Sequence, residues 1–268
     1  MTAMPSWQLV AASAEAAPSS TLRVLPLRHT TVIAEIAGRR VVFDPSLSPS
    51  FSAQGVFAGP LPARHADEVG PVDLVCISSG EATSFDPRTL VALDARHASI
   101  LVGDDDTARR IRQLGWRRVR VVSPTTPVDV GGLRIQASPG RGLLGPAVGF
   151  VVGSANHDGA RLWHTGLLPP LEVDARAAAF ASANPVDVVL GCAWGLRSRT
   201  GGPPLQADVD DVAALARLAR AQVLLPIGRD AVATGLFSLV WEQEPMPVVV
   251  EQGLRIERPV NGTWYGRP

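Results

Sequence analysis

At 268 residues, with 46% hydrophobic and 19% charged side chains, the chain is long enough to bury one large core or two modest ones. Its 25 basic and 25 acidic residues cancel and no run of arginines alternates with aromatics, which argues against nucleic acid as a partner. No apolar run reaches membrane-spanning length and no basic segment leads into an apolar one near the start, so neither a membrane nor a secretory route is expected.

In chain order, residues 1–20 are rich in Ala and Ser and are expected to form a loose arm, with residues 21–268 a single domain. Residues 22–27 and 32–36 read as strands, and Ala37-Gly38 turns the chain into a third strand at 40–43, which Asp44-Pro45 stops. Residues 46–70 carry Pro49, Gly55, Gly59, Pro60 and Pro62 around Phe51 and Phe57. A loop of this length either borders a functional cleft or is a surface excursion pinned by its two phenylalanines.

The next stretch organises the rest. Residues 72–77 are apolar and partly β-branched, as a buried strand requires; small polar residues follow, and Asp86-Pro87 supplies a helix N-cap with proline at the first helical position. A helix is expected over 87–95, a strand over 99–102, and a helix from Asp105 or Asp106 to Leu114. A strand over 118–122 leads to a hairpin turning at Gly131-Gly132, whose second strand covers 133–137. Beyond it, strands are expected at 147–152 and 161–164 around a turn at Asp158-Gly159, a helix over 173–183, a strand at 186–190, a helix from Asp208 or Asp210 to Ala221, and a strand at 223–227. Strands and helices in this alternation describe a layered α/β domain.

Cys76 and Cys192, the only cysteines, form neither a disulfide framework nor a zinc motif, so a reduced, cytoplasmic setting is expected. All the strong bases are arginine, which reads as the codon usage of a GC-rich bacterial genome and leaves no lysine for Schiff-base or general-base chemistry.

The run from Ile77 to Leu90, closing on Asp86-Pro87-Arg88-Thr89-Leu90, resembles the first active-site loop of the metallo-β-lactamase superfamily, especially the branch related to ascorbate-6-phosphate lactonase. There a strand ends in Ser-His-x-His-x-Asp-His; laid on this chain, the metal-ligand positions fall at Ser79, Glu81, Thr83 and Ser84. Arg28-His29 and Asp44-Pro45 stand where that family has Gly-His and Asp-Pro. Ser138-Pro139-Gly140-Arg141-Gly142 stands at its Pro-x-x-His element, with Arg141 or Gly142 at the ligand position. Trp163-His164-Thr165-Gly166-Leu167 stands at its Tyr-His-Ser/Thr-Gly-Asp strand end, with Leu167 replacing the bridging carboxylate, and Pro226-Ile227-Gly228-Arg229 at its Pro-x-His. The resemblance implies a four-layer αββα sandwich. Because Ser, Thr, Leu and Gly cannot replace converging imidazole and carboxylate ligands, it also implies a degenerate member with no metal and no other cofactor, in which metal-hydroxide hydrolysis is unavailable.

The residues that would ring the cleft each have a plain alternative. Glu81 and His164 are the candidates for acid/base catalysis, Glu81 as a desolvated carboxylate or a solvated loop residue, His164 as a site group or a satisfied core histidine. His29, Ser79, Ser84, Asp86, Arg141, Trp194 and Arg229 are the candidates for substrate binding. Asp86 and Asp44 also read as caps, His29 as a loop tie, and Arg141 and Arg229 either replace a lost cation's charge or are surface choices. Three function classes follow: a pseudoenzyme that binds a small anionic ligand or a protein partner, an enzyme with metal-independent acid/base chemistry on a small anion, and a residual single-metal hydrolase using His29, Glu81, Asp86 or His164.

Overall fold

The computed structural model describes residues 8–9, 22–48, 52–53, 57–58, 62–157, 159–172, 174–228, 232–233, 237–239 and 249–266. The first half supplies β1 (Gln8–Leu9), β2 (Leu22–Arg28), β3 (Thr31–Ile36), β4 (Arg39–Phe43), β5 (Ser52–Ala53), β6 (Phe57–Ala58), β7 (Leu74–Ile77), α1 (Pro87–Ala92), β8 (Ser99–Val102), α2 (Asp105–Gln113) and β9 (Val119–Val121). The second half supplies β10 (Val128–Val130), β11 (Leu133–Arg141), β12 (Pro146–Ser154), β13 (Leu162–His164), α3 (Arg176–Ala183), β14 (Val188–Cys192), β15 (Leu196–Ser198), α4 (Val209–Leu218), β16 (Val223–Ile227), β17 (Val232–Ala233), β18 (Phe237–Leu239), β19 (Val249–Glu251), β20 (Leu254–Ile256) and β21 (Tyr265–Gly266).

Among the described residues these form two eight-stranded sheets, in the orders β1-β21-β2-β3-β4-β7-β8-β9 and β10-β11-β12-β13-β14-β16-β20-β19, and two small ones, β15-β18 and β17-β6-β5. Each large sheet begins with antiparallel hairpins and continues in parallel through β4-β7-β8-β9 or β13-β14-β16-β20. Side chains alternate along each strand, which decides the layering. In β7, Leu74 and Cys76 face the other sheet while Val75 and Ile77 pack under α1 and α2 with Leu90 and Ile111. In β14, Val188, Leu190 and Cys192 face inward while Val189 packs under α3 and α4 with Ala181 and Val212. Helices thus cover the outer face of each large sheet, giving the expected αββα sandwich.

Several boundaries differ from expectation for local reasons. Asp104, not Asp105 or Asp106, caps α2, its carboxylate accepting from Thr107 N at 2.8 Å. β11 runs on through Pro139-Gly140-Arg141 because these residues pair with Val148, Ala147 and Pro146 across the hairpin. The third helix begins at Arg176, with Asp174 accepting from Arg176 N. Of the proposed arm, Gln8–Leu9 pairs with β21, and its other residues lie outside the described ones, as does Asp158 of the expected turn.

Candidate functional site

The strand ends β4, β7 and β13 and the β2–β3 turn converge on a buried polar cluster between the sheets. Asp44 follows β4 in a left-handed conformation (φ 46°), and His29 turns the β2–β3 hairpin in the same way (φ 47°), a geometry that Asp and His tolerate better than most residues. The fully buried Asp44 carboxylate accepts from Ser78 N at 2.6 Å through Oδ1 and from Ser78 Oγ at 2.8 Å through Oδ2, and Ser84 Oγ lies 3.1 Å from Ser78 Oγ. Thr31 Oγ1 donates to Asp44 O, just after β4, and Thr30 Oγ1 donates to Thr83 O, fastening the hairpin to the loop after β7. Burial pushes Asp44 up to about 7, against the two hydrogen bonds from Ser78 that favour its charge.

His164 is as deeply buried. Its Nδ1 accepts from Gly166 N at 3.3 Å, which leaves the ring proton on Nε2 to be donated to Thr30 O at 3.1 Å. The imidazole stacks on Phe43 at 4.9 Å between centroids, and burial drives its pKa down to about 4. It is thus a neutral core histidine, 3.8 Å from Asp44 Oδ2.

Glu81 sits elsewhere. Its Oε1 accepts from Leu144 N at 2.9 Å, tying the loop after β7 to the β11–β12 turn, and burial raises its carboxyl above the usual range despite the Leu144 and Leu143 amides. No hydrogen bond or ion pair joins Glu81 to His164, so the structure does not assemble the acid/base pair considered from sequence. Glu81 instead borders a cavity of about 400 Å³ with Gly80, Asp104, Thr107, Arg110 and Leu144.

The binding candidates are scattered in role. Ser79 and Ser84 are fully buried, and Ser79 Oγ accepts from Glu81 N at 3.3 Å. Asp86 caps α1, accepting from Arg88 N, Thr89 N, Thr89 Oγ1 and Ser48 Oγ; burial would raise its pKa, and these bonds outweigh burial and hold it low. Arg141 is exposed at the end of β11, its backbone N–H donating to Leu167 O, while Gly142 turns inward. His29 is buried, and its carbonyl accepts from Gly228 N at 2.9 Å. Trp194 is in the core; Arg229 lies outside the described residues.

Three of the positions that the resemblance assigns to metal ligands, Gly142, Leu167 and Gly228, offer no side-chain ligand. Leu167 is 2% exposed within the inter-sheet core. A Cβ at Gly142 would lie 2.1 Å from Glu81 Oε1, and one at Gly228 would lie 2.0 Å from Trp194 Nε1. A carboxylate and an indole therefore occupy the space that side chains at 142 and 228 would need. Among the described residues, no group of three or more His, Cys, Asp or Glu side chains is disposed to hold a metal ion. Sequence reasoning passed over Thr30 and Gly166, which fix His164, because a carbonyl and an amide leave no mark in side-chain chemistry.

Comparison with known proteins identifies the class. A family described as "Beta-lactamase superfamily domain" matches residues 39–228, and the chain belongs to the metallo-β-lactamase superfamily. No curated protein sequence matches. Among solved structures, an isothiocyanate hydrolase from Delia radicum gut bacteria is similar at TM-score 0.65 and 17% identity, over 78% of this chain and 85% of that one. Igni18, a metallo hydrolase from the archaeon Ignicoccus hospitalis, is similar at TM-score 0.59 and 17% identity, over 78% and 82%. CmlA, a diiron β-hydroxylase from Streptomyces venezuelae, is similar at 0.59 and 16%, over 79% of this chain and 45% of that one. At these identities the likeness concerns the fold. Among the described residues no helix is long and apolar enough to cross a membrane.

Proposed function

We propose that this chain is a metal-free cytoplasmic member of its superfamily, akin to the ascorbate-6-phosphate lactonase branch, that has lost the hydrolytic centre and acts as a pseudoenzyme binding a small ligand or a protein partner. The observation that carries this reading is the filling of the cleft: Glu81 and Trp194 occupy the room beside Gly142 and Gly228, and Leu167 contributes a hydrocarbon side chain where the resemblance places a bridging carboxylate. Asp44 and His164, in the polar cluster between the sheets, are sealed from solvent and engaged with the backbone. A ligand bound only by the folded state raises stability by mass action. Thermal unfolding with zinc, with manganese and with a chelator tests the reading: coincident transitions are expected, and a saturable upward shift with either metal contradicts it.

A second reading is favoured by one observation, the raised carboxyl of Glu81 at the rim of a cavity. There Glu81 would serve as an acid or base without His164. Its test is Glu81→Gln in a screen for hydrolysis of small anionic esters: this reading requires turnover by the wild type that the variant loses, and absence of wild-type turnover ends it.

A further inference from the structure

A second concavity, of about 380 Å³, lies beside the filled cleft, lined by Pro26, His29, Pro226, Ile227, Gly228 and the segment from Arg258 to Asn261. It spans both sheets: Pro26 belongs to β2, Pro226 and Ile227 to β16, and residues 258–261 to the connection from β20 to β21.

Its walls are held in place. Glu257 N donates to Leu224 O at 3.0 Å where the connection leaves β20, and Gly262 N donates to Pro26 O at 2.8 Å where it reaches β2. Between these ties Val260 N donates to Tyr265 Oη at 2.9 Å, and Gly228 N to His29 O closes the opposite side. The cavity has a size suited to a small molecule, and its lining is carried on pinned backbone.

The lining divides into two chemistries. Pro259 and Val260 offer apolar surface at the edge, Val260 being 62% exposed, and the buried Pro26, Pro226 and Ile227 lie behind them. Arg258 brings a guanidinium, the group best matched to a planar anion, and among the described residues it forms no hydrogen bond or ion pair that would commit it elsewhere. Asn261 and His29 add polar edges. Three ring-bearing prolines with two aliphatic side chains beside one cation describe an amphipathic anion rather than a bare phosphate or a neutral hydrophobe.

We infer that this concavity binds a small carboxylate with an apolar body, its carboxylate on Arg258 and its body against Pro26, Pro226, Pro259 and Val260. The inference deepens the binding-module reading, on which it rests, by naming the ligand's class and its place.

Benzoate is a suitable probe, with acetate lacking the apolar body and benzyl alcohol lacking the charge. Titrated into ¹⁵N-labelled protein at constant ionic strength, benzoate is expected to give saturable shifts centred on the Gly228, Asn261 and Gly262 amides. Acetate, benzyl alcohol and the Arg258→Gln variant should each bind about tenfold more weakly, the loss expected for one charged hydrogen-bonded contact or an equivalent apolar one. Arg109→Gln, an exposed cation on α2, should bind as the wild type does, and unchanged spectra outside the pocket report that Arg258→Gln is folded. Unsaturable or scattered shifts overturn the inference, as does undiminished affinity in Arg258→Gln or for either control ligand. Metal in the isolated protein would overturn the reading beneath it whatever benzoate does, so the two failures are separable.

Discussion

His164 Nε2 stands 3.8 Å from Asp44 Oδ2 with both side chains withdrawn from solvent, and the two titrate in opposite directions, Asp44 up to about 7 and His164 down to about 4. Between those values neither is charged. The pair thus sits in the core as a neutral acid beside a neutral imidazole rather than as an ion pair, which spares the fold two uncompensated buried charges.

The pH dependence of stability follows with a definite sign. Asp44's folded pKa is raised from 3.8, so its contribution is complete below 3.8 and falls as pH rises through about 7, by about 4 kcal/mol in total. His164's folded pKa is lowered from 6.5, so its contribution is complete above 6.5 and falls as pH drops through about 4, by about 3 kcal/mol. The slopes oppose each other over the same window and nearly cancel. Removing one partner unmasks the other: His164→Gln should lose stability as pH rises from about 4 to about 7, and Asp44→Asn as pH falls over the same range. Urea unfolding at a series of pH values measures both, and parallel profiles for the two variants would show that the pair does not titrate this way.

The two inward-turned glycines should respond unequally to a methyl group. At Gly228 the φ of +83° is costly for any side chain and the new Cβ meets the Trp194 ring, so Gly228→Ala should cost at least about 3 kcal/mol. At Gly142 the obstacle is the end of the Glu81 side chain, which can swing away, and Gly142→Ala should cost about 1 kcal/mol while freeing the Leu144 amide. Denaturant unfolding together with amide exchange at Leu144 distinguishes them; equal costs would mean that Trp194 does not fill the position.

Asp86 is expected to matter for stability. Its carboxylate accepts the amides of Arg88 and Thr89 at the start of α1 and the hydroxyls of Thr89 and Ser48, so Asp86→Ala should cost about 1 to 2 kcal/mol at neutral pH. Its depressed pKa means that this contribution is lost as pH falls through the folded value, so the variant and the wild type should converge in acid. A cost that persists undiminished in acid would place the effect outside the carboxylate.

Much of this was legible in the sequence where one element carries its own signal. The strand Val223–Ile227 has the bounds read from its apolar run, and Asp86-Pro87 marks the start of α1 because cap and proline are local. Pairing across the sheet was not legible: Pro139-Gly140-Arg141 reads as a loop by composition and becomes strand only because β12 lies opposite. The site divided in the same way. The positions that the resemblance assigns to metal ligands could be matched one stretch at a time, but the packing of Glu81 against a turn 63 residues away and of Trp194 beside Gly228 exists only in the fold. His164 looked as suited to catalysis as to the core, since a histidine's role is fixed by partners, here Thr30 O and Gly166 N, that sequence does not reveal.

The central claim is that the superfamily's metal centre has been filled in. Elemental mass spectrometry of untagged protein, offered zinc and manganese and then desalted, tests it most directly. Well below one equivalent of either metal is expected; a stoichiometric metal that survives desalting would mean that a rebuilt site exists and that this chain is a hydrolase of unfamiliar ligation.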